Sequence, residues 1–131
     1  DELFDLDMDI YAPCALGATV NDDSISKLKC KIICGAANNQ LADENIHGEA
    51  LMKKGIVYAP DYTINAGGVI NCFSEVEGLS SEWAHGKAGE IYTTILNIIK
   101  RSKEVNIPTY QIANKIAEER IAAVGIVKLP K

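Results

Sequence analysis

The chain has 131 residues, 47% of them hydrophobic and 24% charged, which is enough to bury a core and predicts one domain over residues 1–131. A formal net charge of −5 argues against a nucleic-acid partner, because phosphate binding needs clustered Lys and Arg. No run of ~18 apolar residues predicts a membrane span, and the acidic start, Asp1-Glu2-Leu3-Phe4-Asp5, is unlike a signal peptide.

Short apolar segments predict β-strands near residues 8–13, 30–34 and 56–59. Pro13 and Pro60 stop the first and third strands, because proline has no N–H to donate to a β-ladder. Each strand is nearly all apolar, which is typical of strands that are covered on both faces.

Two short helices are predicted between the strands. The first spans residues 24–29 and follows the cap-like segment Asn21-Asp22-Asp23. The second spans residues 46–54, with Asn45 as its cap and Gly55 as a left-handed stop. The predicted buried face of this second helix consists of Ile46, Ala50 and Leu51.

Helices are predicted to fill the C-terminal half of the chain, residues 65–125. A polar turn at residues 61–63 leads into a helix that opens at Asn65 and contains Gly67-Gly68. A long helix covers residues 82–105, where isoleucines recur at helical spacing.

The last helix is predicted to begin with Thr109 as its cap and to end at Gly125. Residues 126–131 show no clear pattern and are expected to form a loose tail. The apolar residues that recur at helical spacing in this helix are Ile112, Ala113, Ile116, Ala117, Ile121 and Val124.

Strands that alternate with helices imply a parallel sheet with right-handed crossovers. We therefore expect an α/β fold in three layers: a sheet of about three parallel strands, helices flanking it, and long C-terminal helices.

The cysteines predict neither a disulfide framework nor a metal site. Cys30 and Cys34 lie four apart along a predicted strand, so their side chains point the same way but stand too far apart to bond. The chain has no CxxC motif, and His47 and His85 are isolated, so no metal is expected. Buried, reduced thiols in a cytoplasmic protein are the expectation.

Three turns rich in small residues follow the predicted strands: Ala12-Pro13-Cys14-Ala15, Gly35-Ala36-Ala37-Asn38-Asn39 and residues 61–68. The carboxyl ends of parallel strands lie along one edge of a sheet, so these turns should converge there. Asparagine amides both donate and accept hydrogen bonds, and the helix near Asn65 adds N–H groups for an anion. The residues alone favour a small-molecule or nucleotide site, although ordinary turns and tight helix packing at Gly67-Gly68 remain open.

The chain carries a series of long motifs in a fixed order. They are Ala12-Pro13-Cys14-Ala15-Leu16-Gly17, Gly35-Ala36-Ala37-Asn38-Asn39-Gln40-Leu41, Tyr58-Ala59-Pro60-Asp61-Tyr62, Ile64-Asn65-Ala66-Gly67-Gly68-Val69-Ile70-Asn71, Ile107-Pro108-Thr109-Tyr110 and Ala117-Glu118-Glu119-Arg120-Ile121. Over nearly its whole length the chain resembles the leucine dehydrogenase branch of the glutamate/leucine/phenylalanine/valine dehydrogenase superfamily.

The resemblance implies an enzyme that oxidatively deaminates a branched-chain L-amino acid to its 2-oxo acid and ammonia, with NAD as hydride acceptor. This chain then corresponds to the second half of a partial Rossmann-like NAD-binding domain plus the C-terminal helices. The cofactor-binding residues that the resemblance implies are Ala12, Pro13, Cys14, Ala15, Asn39 and Asn65. The substrate-binding residues that it implies are Asn65, Gly68, Val69 and Cys72, with cysteine where the family more often has valine, so Leu, Val, Ile and Phe all stay open as substrates.

The resemblance also identifies what these residues lack. The family's catalytic lysine, in a Gly-Gly-x-Lys stretch, and its partner aspartate belong to an N-terminal domain that has no counterpart here. The Gly-x-Gly-x-x-Gly phosphate turn is missing too. The chain also begins without Met, so we expect a fragment of a longer enzyme that has no catalytic residue of its own and is inactive alone.

The parent enzyme is expected to be a homo-oligomer. The alternative is a non-catalytic nucleotide-binding or assembly module of the same fold, which pairs with another chain through an open sheet edge.

Overall fold

The three predicted strands form one parallel sheet in the order β1-β2-β3, in a computed structural model that describes residues 2–125. β1 spans Ile10–Tyr11, β2 spans Ile32–Ile33 and β3 spans Val57–Tyr58. In the register of the sheet, Ile32 lies between Ile10 and Val57. The strands fall within the predicted segments but are shorter, because the chain turns into loops directly after each ladder pair.

The inner face of the sheet is buried, and its outer face is open at β1 and β2 within residues 2–125. Tyr11, Ile33 and Tyr58 are buried and belong to the main hydrophobic cluster. Ile10 is 55% exposed and Ile32 is 37% exposed on the opposite face. The expectation that both faces are covered therefore does not hold at Ile10 and Ile32, whereas Val57, which pairs with Ile32, is half-buried.

Helix α1 spans Asp22–Lys27, two residues earlier than predicted at each end. The predicted cap segment explains the shift, because Asn21 forms a capping box with Ser24. The Asn21 side chain accepts the Ser24 N–H at 3.0 Å, and the Ser24 hydroxyl oxygen accepts the Asn21 N–H at 2.9 Å. Leu28, directly after the helix, is fully buried and anchors α1 to the sheet.

Helix α2 spans Glu44–Lys54 and differs from the prediction in its cap. The Asp43 carboxylate, not Asn45, accepts the N–H groups of Asn45 and Ile46, at 2.9 and 3.0 Å. Gly55 ends the helix with a positive φ of 76°, as predicted.

The predicted buried face of α2 is wrong at Ile46, which is 59% exposed. His47, Gly48 and Leu51 are its buried residues, and Ala50 is half-buried. Gly48 has no room for a side chain, since a Cβ there would lie 2.5 Å from the Tyr110 ring. The close approach of Tyr110 therefore decides which face of α2 turns inward.

The polar turn predicted after β3 is a one-turn helix, α3, at Asp61–Ile64. Helix α4 follows at Gly67–Val76, two residues later than the predicted start at Asn65, which instead ends α3. The long helix α5 spans Ser81–Val105, with the Ser80 side chain as its cap.

The last helix, α6, spans Thr109–Gly125. Thr109 is not its cap: the Thr109 hydroxyl donates to the carbonyl of Tyr58, at 2.7 Å, and so fastens α6 to the end of β3. The N-terminal half of the predicted apolar face is buried, with Ile112 and Ala113 packed on Ile98 of α5. Ile121 and Val124 are 73% and 65% exposed, so the other half of that face has no cover among residues 2–125, and the predicted tail at 126–131 lies outside the described residues.

Candidate functional site

Three loops follow the carboxyl ends of the strands and pack on one another, as the sequence predicts. We call residues 12–18 loop A, residues 35–40 loop B and residues 61–68 loop C. Backbone and side-chain hydrogen bonds join loop A to loop B and loop B to loop C. The candidate site is built from these contacts.

Loop A and loop B cross at Pro13 and Gly35. A Cβ on Gly35 would lie 2.1 Å from the Pro13 carbonyl oxygen, so only glycine fits at this crossing. The same carbonyl accepts the N–H of Ala37 at 2.9 Å. Pro13 is buried, whereas Ala12, Cys14 and Ala15 are exposed.

A second crossing holds the far end of loop A against Asn39. The N–H of Ala18 donates to the Asn39 carbonyl at 2.7 Å. Asn39 has a left-handed backbone, with φ 52°, which asparagine adopts more readily than most residues. A Cβ on Gly17 would lie 2.9 Å from the Asn38 carbonyl oxygen, so loop A lies flat on loop B. The side chain of Asn39 is exposed as a result.

Gln40 and Asp61 join loop B to loop C, and the sequence-based prediction did not identify them. The Asp61 carboxylate accepts the N–H of Gln40 at 3.0 Å and the N–H of Tyr62 at 2.7 Å. The fully buried Gln40 side chain donates to the carbonyls of Gly35 and Ala37, at 2.6 and 2.9 Å. In the sequence, the only signal for this role of Asp61 is a carboxylate directly after Pro60 at a strand end. The signal is weak, because the carboxylate is buried only once loop B packs against it.

Asn65 of loop C contacts loop B directly. Its side-chain Nδ2 donates to the Asn38 Oδ1 at 2.5 Å. Asn65 is half-buried and Asn38 is exposed. The predicted cofactor residues of loops A, B and C are therefore brought together at one edge of the sheet.

A small acidic cavity of about 270 Å³ lies beside Asn39. Its lining residues are Asn39, Leu41, Glu44, Tyr58, Asp61 and Tyr62. Burial and the negative charge of Asp61 raise the pKa of the Glu44 carboxyl above its ordinary value. Burial likewise raises the pKa of the Tyr58 and Tyr62 hydroxyls. The Tyr58 hydroxyl accepts the Asp61 N–H at 3.2 Å, and the Tyr62 hydroxyl donates to the Asn114 Oδ1 at 2.7 Å.

The predicted substrate residues lie on or next to α4, on an open surface. Val69 is 74% exposed and lines a groove of about 450 Å³ that also contains Phe73 and Trp83. Gly68 and Cys72 are exposed and do not line this groove. A Cβ on Gly67 or Gly68 would meet no atom of residues 2–125 within 4 Å, so tight packing inside the described chain does not account for these glycines.

Two further searches concern the described residues only. Across residues 2–125, no cluster of His, Cys, Asp or Glu has the size and spacing to hold a metal ion. Among the helices of that same range, none is long and apolar enough to cross a membrane.

A parallel sheet with polar loops gathered at its carboxyl edge defines a class: α/β proteins that hold ligands at the strand ends. Comparison with known proteins identifies the family within this class. The profile of the Glutamate/Leucine/Phenylalanine/Valine dehydrogenase family matches residues 1–127. The chain belongs to this family.

Relatives agree with this assignment. The chain is 53% identical over 121 residues to the leucine dehydrogenase of Thermoactinomyces intermedius, covering 92% of this chain and 33% of that protein. It is 50% identical to the valine dehydrogenase of Streptomyces coelicolor, covering 88% of this chain and 31% of that protein. The chain thus spans about a third of the length of the relatives that it matches.

A solved structure shows the same fold. The crystal structure of L-tryptophan dehydrogenase from Nostoc punctiforme superposes with a TM-score of 0.90 at 48% identity. The match covers 93% of this chain and 36% of that one. The Rossmann-like character expected of this α/β segment is thereby confirmed.

Proposed function

We propose that this chain is part of an NAD-dependent amino acid dehydrogenase. The whole enzyme oxidatively deaminates a branched-chain, leucine-like L-amino acid to its 2-oxo acid and ammonia. It acts in the cytoplasm as a homo-oligomer. The single observation that carries the proposal is the convergence of Asn38, Asn39 and Asn65 at one sheet edge in a chain of this family.

The residues present fit the nicotinamide end of NAD. Loops A, B and C hold exposed amide groups on a rigid base, because two loop crossings and the Asp61 carboxylate fix their relative positions. In the proposal, Ala12, Pro13, Cys14 and Ala15 form the nicotinamide side of the site. Asn39 binds the nicotinamide ribose, and Asn65 faces the nicotinamide and the substrate head group. Bound NAD would supply the hydride acceptor.

The proposed substrate wall uses Gly68, Val69 and Cys72. Gly68 and Val69 leave an open surface at the start of α4, where an apolar side chain would be received. Such a wall favours a branched aliphatic side chain, although one methylene changes the free energy of discrimination by only ~1–3 kcal/mol. Relatives are named for leucine, valine and tryptophan, so family membership alone does not specify the substrate. The leucine-like preference rests on the apolar wall.

The assay that tests the proposal uses the complete protein that carries these residues. Reduction of NAD is followed by absorbance with L-leucine, L-valine, L-isoleucine, L-phenylalanine and L-tryptophan in turn. Val69→Thr places a hydroxyl in the apolar wall and is expected to raise KM for L-leucine by about tenfold, since the hydroxyl must be desolvated. Val105→Thr is the matched control on an exposed helix end and should leave KM unchanged. No NAD reduction with any of the amino acids would refute the proposal.

We further propose that residues 1–131 are inactive by themselves. The Gly-Gly-x-Lys stretch and the partner aspartate that the family resemblance implies have no counterpart among them. The purified 131-residue chain, assayed with L-leucine and NAD, should give no turnover above a blank without protein. Measurable turnover would contradict this part of the proposal.

A second candidate is a binding or assembly module that uses the same fold. The observation in its favour is the exposure of Ile10 on β1, an edge strand of the sheet, and of Ile32 on the same face of the central strand β2. Light scattering after size-exclusion chromatography distinguishes the candidates: concentration-dependent self-association of the chain that Ile10→Lys abolishes would favour the assembly module.

A further inference from the structure

Asn38 stands next to the proposed site, but the family resemblance assigns a contact to Asn39 and Asn65 and none to the Asn38 side chain. Its Oδ1 accepts a hydrogen bond from the Asn65 Nδ2 at 2.5 Å, between residues 27 positions apart in sequence. Most exposed asparagines are free to present either end of the carboxamide. This one is joined to Asn65, which the proposed function places at the cleft that holds the nicotinamide and the substrate head group.

The bond determines which atom of Asn65 remains for a ligand. A carboxamide has a donating NH₂ group at one end and an accepting oxygen at the other. The bond to Asn38 uses the NH₂ end of Asn65, so the orientation of the planar group is set. The Asn65 Oδ1 is then the atom presented as a fixed acceptor.

Asn38 itself is held in place by its loop. The buried side chain of Gln40 bonds the carbonyls of Gly35 and Ala37, on the N-terminal side of Asn38. The Asn39 carbonyl, on the other side, accepts the N–H of Ala18. The Asn65 N–H donates to the Asp61 carbonyl, and the Asp61 carboxylate is bonded to loop B. Both partners therefore belong to one hydrogen-bonded network.

We propose that Asn38 is a positioning residue that fixes the Asn65 carboxamide with its oxygen toward the cleft, as acceptor for an N–H group of a bound ligand. The inference rests on the proposed function. Two ligands of that function offer such a group: the carboxamide of nicotinamide and the amino group of the amino acid. A carboxylate or carbonyl oxygen in that place would meet the Asn65 oxygen and be repelled.

The first test is spectroscopic and requires no catalysis. In the 131-residue chain, one proton of the Asn65 side-chain NH₂ should be shifted downfield in ¹H–¹⁵N spectra and should exchange slowly with water. Asn97, exposed on α5, supplies the reference signal of a free asparagine. Asn38→Asp keeps the accepting oxygen and should keep the shifted proton, whereas Asn38→Leu should lose it. An Asn65 signal like that of Asn97 would overturn the proposal.

The second test is kinetic, in the complete protein that carries the chain. Loss of one oriented hydrogen bond in Asn38→Leu should lower kcat/KM by about tenfold, while Asn38→Asp should stay within about threefold of the unchanged protein. Asn97→Leu is the matched control and should have no effect. Equal losses in Asn38→Asp and Asn38→Leu, or no loss in either, would refute the positioning role, and equal unfolding midpoints for all variants would exclude a general structural effect.

A cofactor analogue shows whether the N–H donor to Asn65 is the nicotinamide carboxamide or the amino group of the amino acid. In the 3-acetylpyridine analogue of NAD, a methyl group replaces the carboxamide NH₂, so the nicotinamide offers no N–H. If the Asn38→Leu loss disappears with this analogue, nicotinamide is the donor; if it persists, the donor is the amino acid. A complete protein that turns over no amino acid would refute the proposed function. An Asn65 side-chain signal like that of Asn97 in the unchanged chain, with turnover retained, would refute the positioning role alone.

Discussion

The carboxylate of Asp61 accepts the backbone N–H of Gln40 at 3.0 Å and thereby joins loop C to loop B. The same carboxylate accepts the N–H of Tyr62, so both of its oxygens are in use. In Asp61→Asn one oxygen becomes an NH₂ group and faces an N–H donor. We expect unfolding free energy to fall by about 1–3 kcal/mol, as for a buried donor left unpaired. Urea denaturation measures this, and the exposed Asp7→Asn should change it by less than about 0.5 kcal/mol.

Gln40 gives a prediction that depends on pH. Its side-chain NH₂ is buried and bonds the carbonyls of Gly35 and Ala37. In Gln40→Glu the ionised carboxylate would face those carbonyl oxygens, so we expect a loss of about 2–5 kcal/mol at neutral pH. Burial raises the folded-state pKa of the new carboxyl, so the loss should be smallest in acid, where the group is protonated in both states. It should grow as pH rises above the unfolded-state pKa of about 4–5 and level off only above the raised folded-state pKa. Equal losses of unfolding free energy at about pH 3 and about pH 7 would contradict this explanation.

The buried hydroxyl of Tyr58 should make the folded chain less stable at alkaline pH. Burial, with the charge of Asp61, raises the pKa of its hydroxyl in the folded state. The unfolded chain ionises the same group near about pH 10, so stability is fully present below that pH and falls as pH rises above it. Tyr58→Phe should make this fall shallower. At neutral pH it should also cost about 1 kcal/mol, because the Asp61 N–H loses its partner at 3.2 Å. Unfolding midpoints measured across the pH range for both proteins check the sign.

The thiols should react in a fixed order. Cys14 and Cys72 are exposed, whereas Cys30 is buried and Cys34 is half-buried. Burial raises the pKa of the Cys30 and Cys34 thiols, so less of the reactive thiolate forms at neutral pH. Alkylation followed by peptide mass spectrometry should label Cys14 and Cys72 first, with the buried pair following at higher pH. NAD present in excess should protect Cys14 in the complete protein; undiminished labelling would place the nicotinamide elsewhere.

The Gly68→Ala variant tests whether this glycine is needed for folding or for substrate binding. A Cβ there meets nothing within 4 Å among the described residues, and the position lies within helix α4. Gly68→Ala should therefore stabilise the chain by about 0.5–1 kcal/mol, as alanine does within a helix. In the complete protein the added methyl should raise KM for the amino acid. Gly55→Ala is the contrasting variant: its φ of 76° is strained for alanine, so it should destabilise the chain and leave KM unchanged.

Sequence patterns predicted the strands, the long helices and the meeting of three loops, because strand order and proline positions leave few alternatives. They did not predict the cap of α2. Asp43 and Asn45 both suit a helix start, and only the backbone at residue 43 decides between them. They also placed Ile46 in the core, where the close contact between Gly48 and Tyr110 turns another face inward.

The site shows the same limit. Asparagines in turns were recognisable as candidate ligand groups, but the Asn38–Asn65 bond joins residues far apart in sequence. The roles of Gln40 and Asp61 depend on that same packing of loop B against loop C. Such pairings are properties of the folded chain and cannot be read from spacing alone.

The crossing of Pro13 and Gly35 has a consequence for how this protein can change. Any side chain added at residue 35 would strike backbone atoms, which cannot rotate aside as a side chain does. Residue 35, where loops A and B are in contact, therefore tolerates no residue larger than glycine. On α4, by contrast, a Cβ added at Gly67 or Gly68 meets no atom of another element within 4 Å among the described residues. Under the proposed substrate wall, we expect changes of ligand preference, natural or engineered, to arise on that helix.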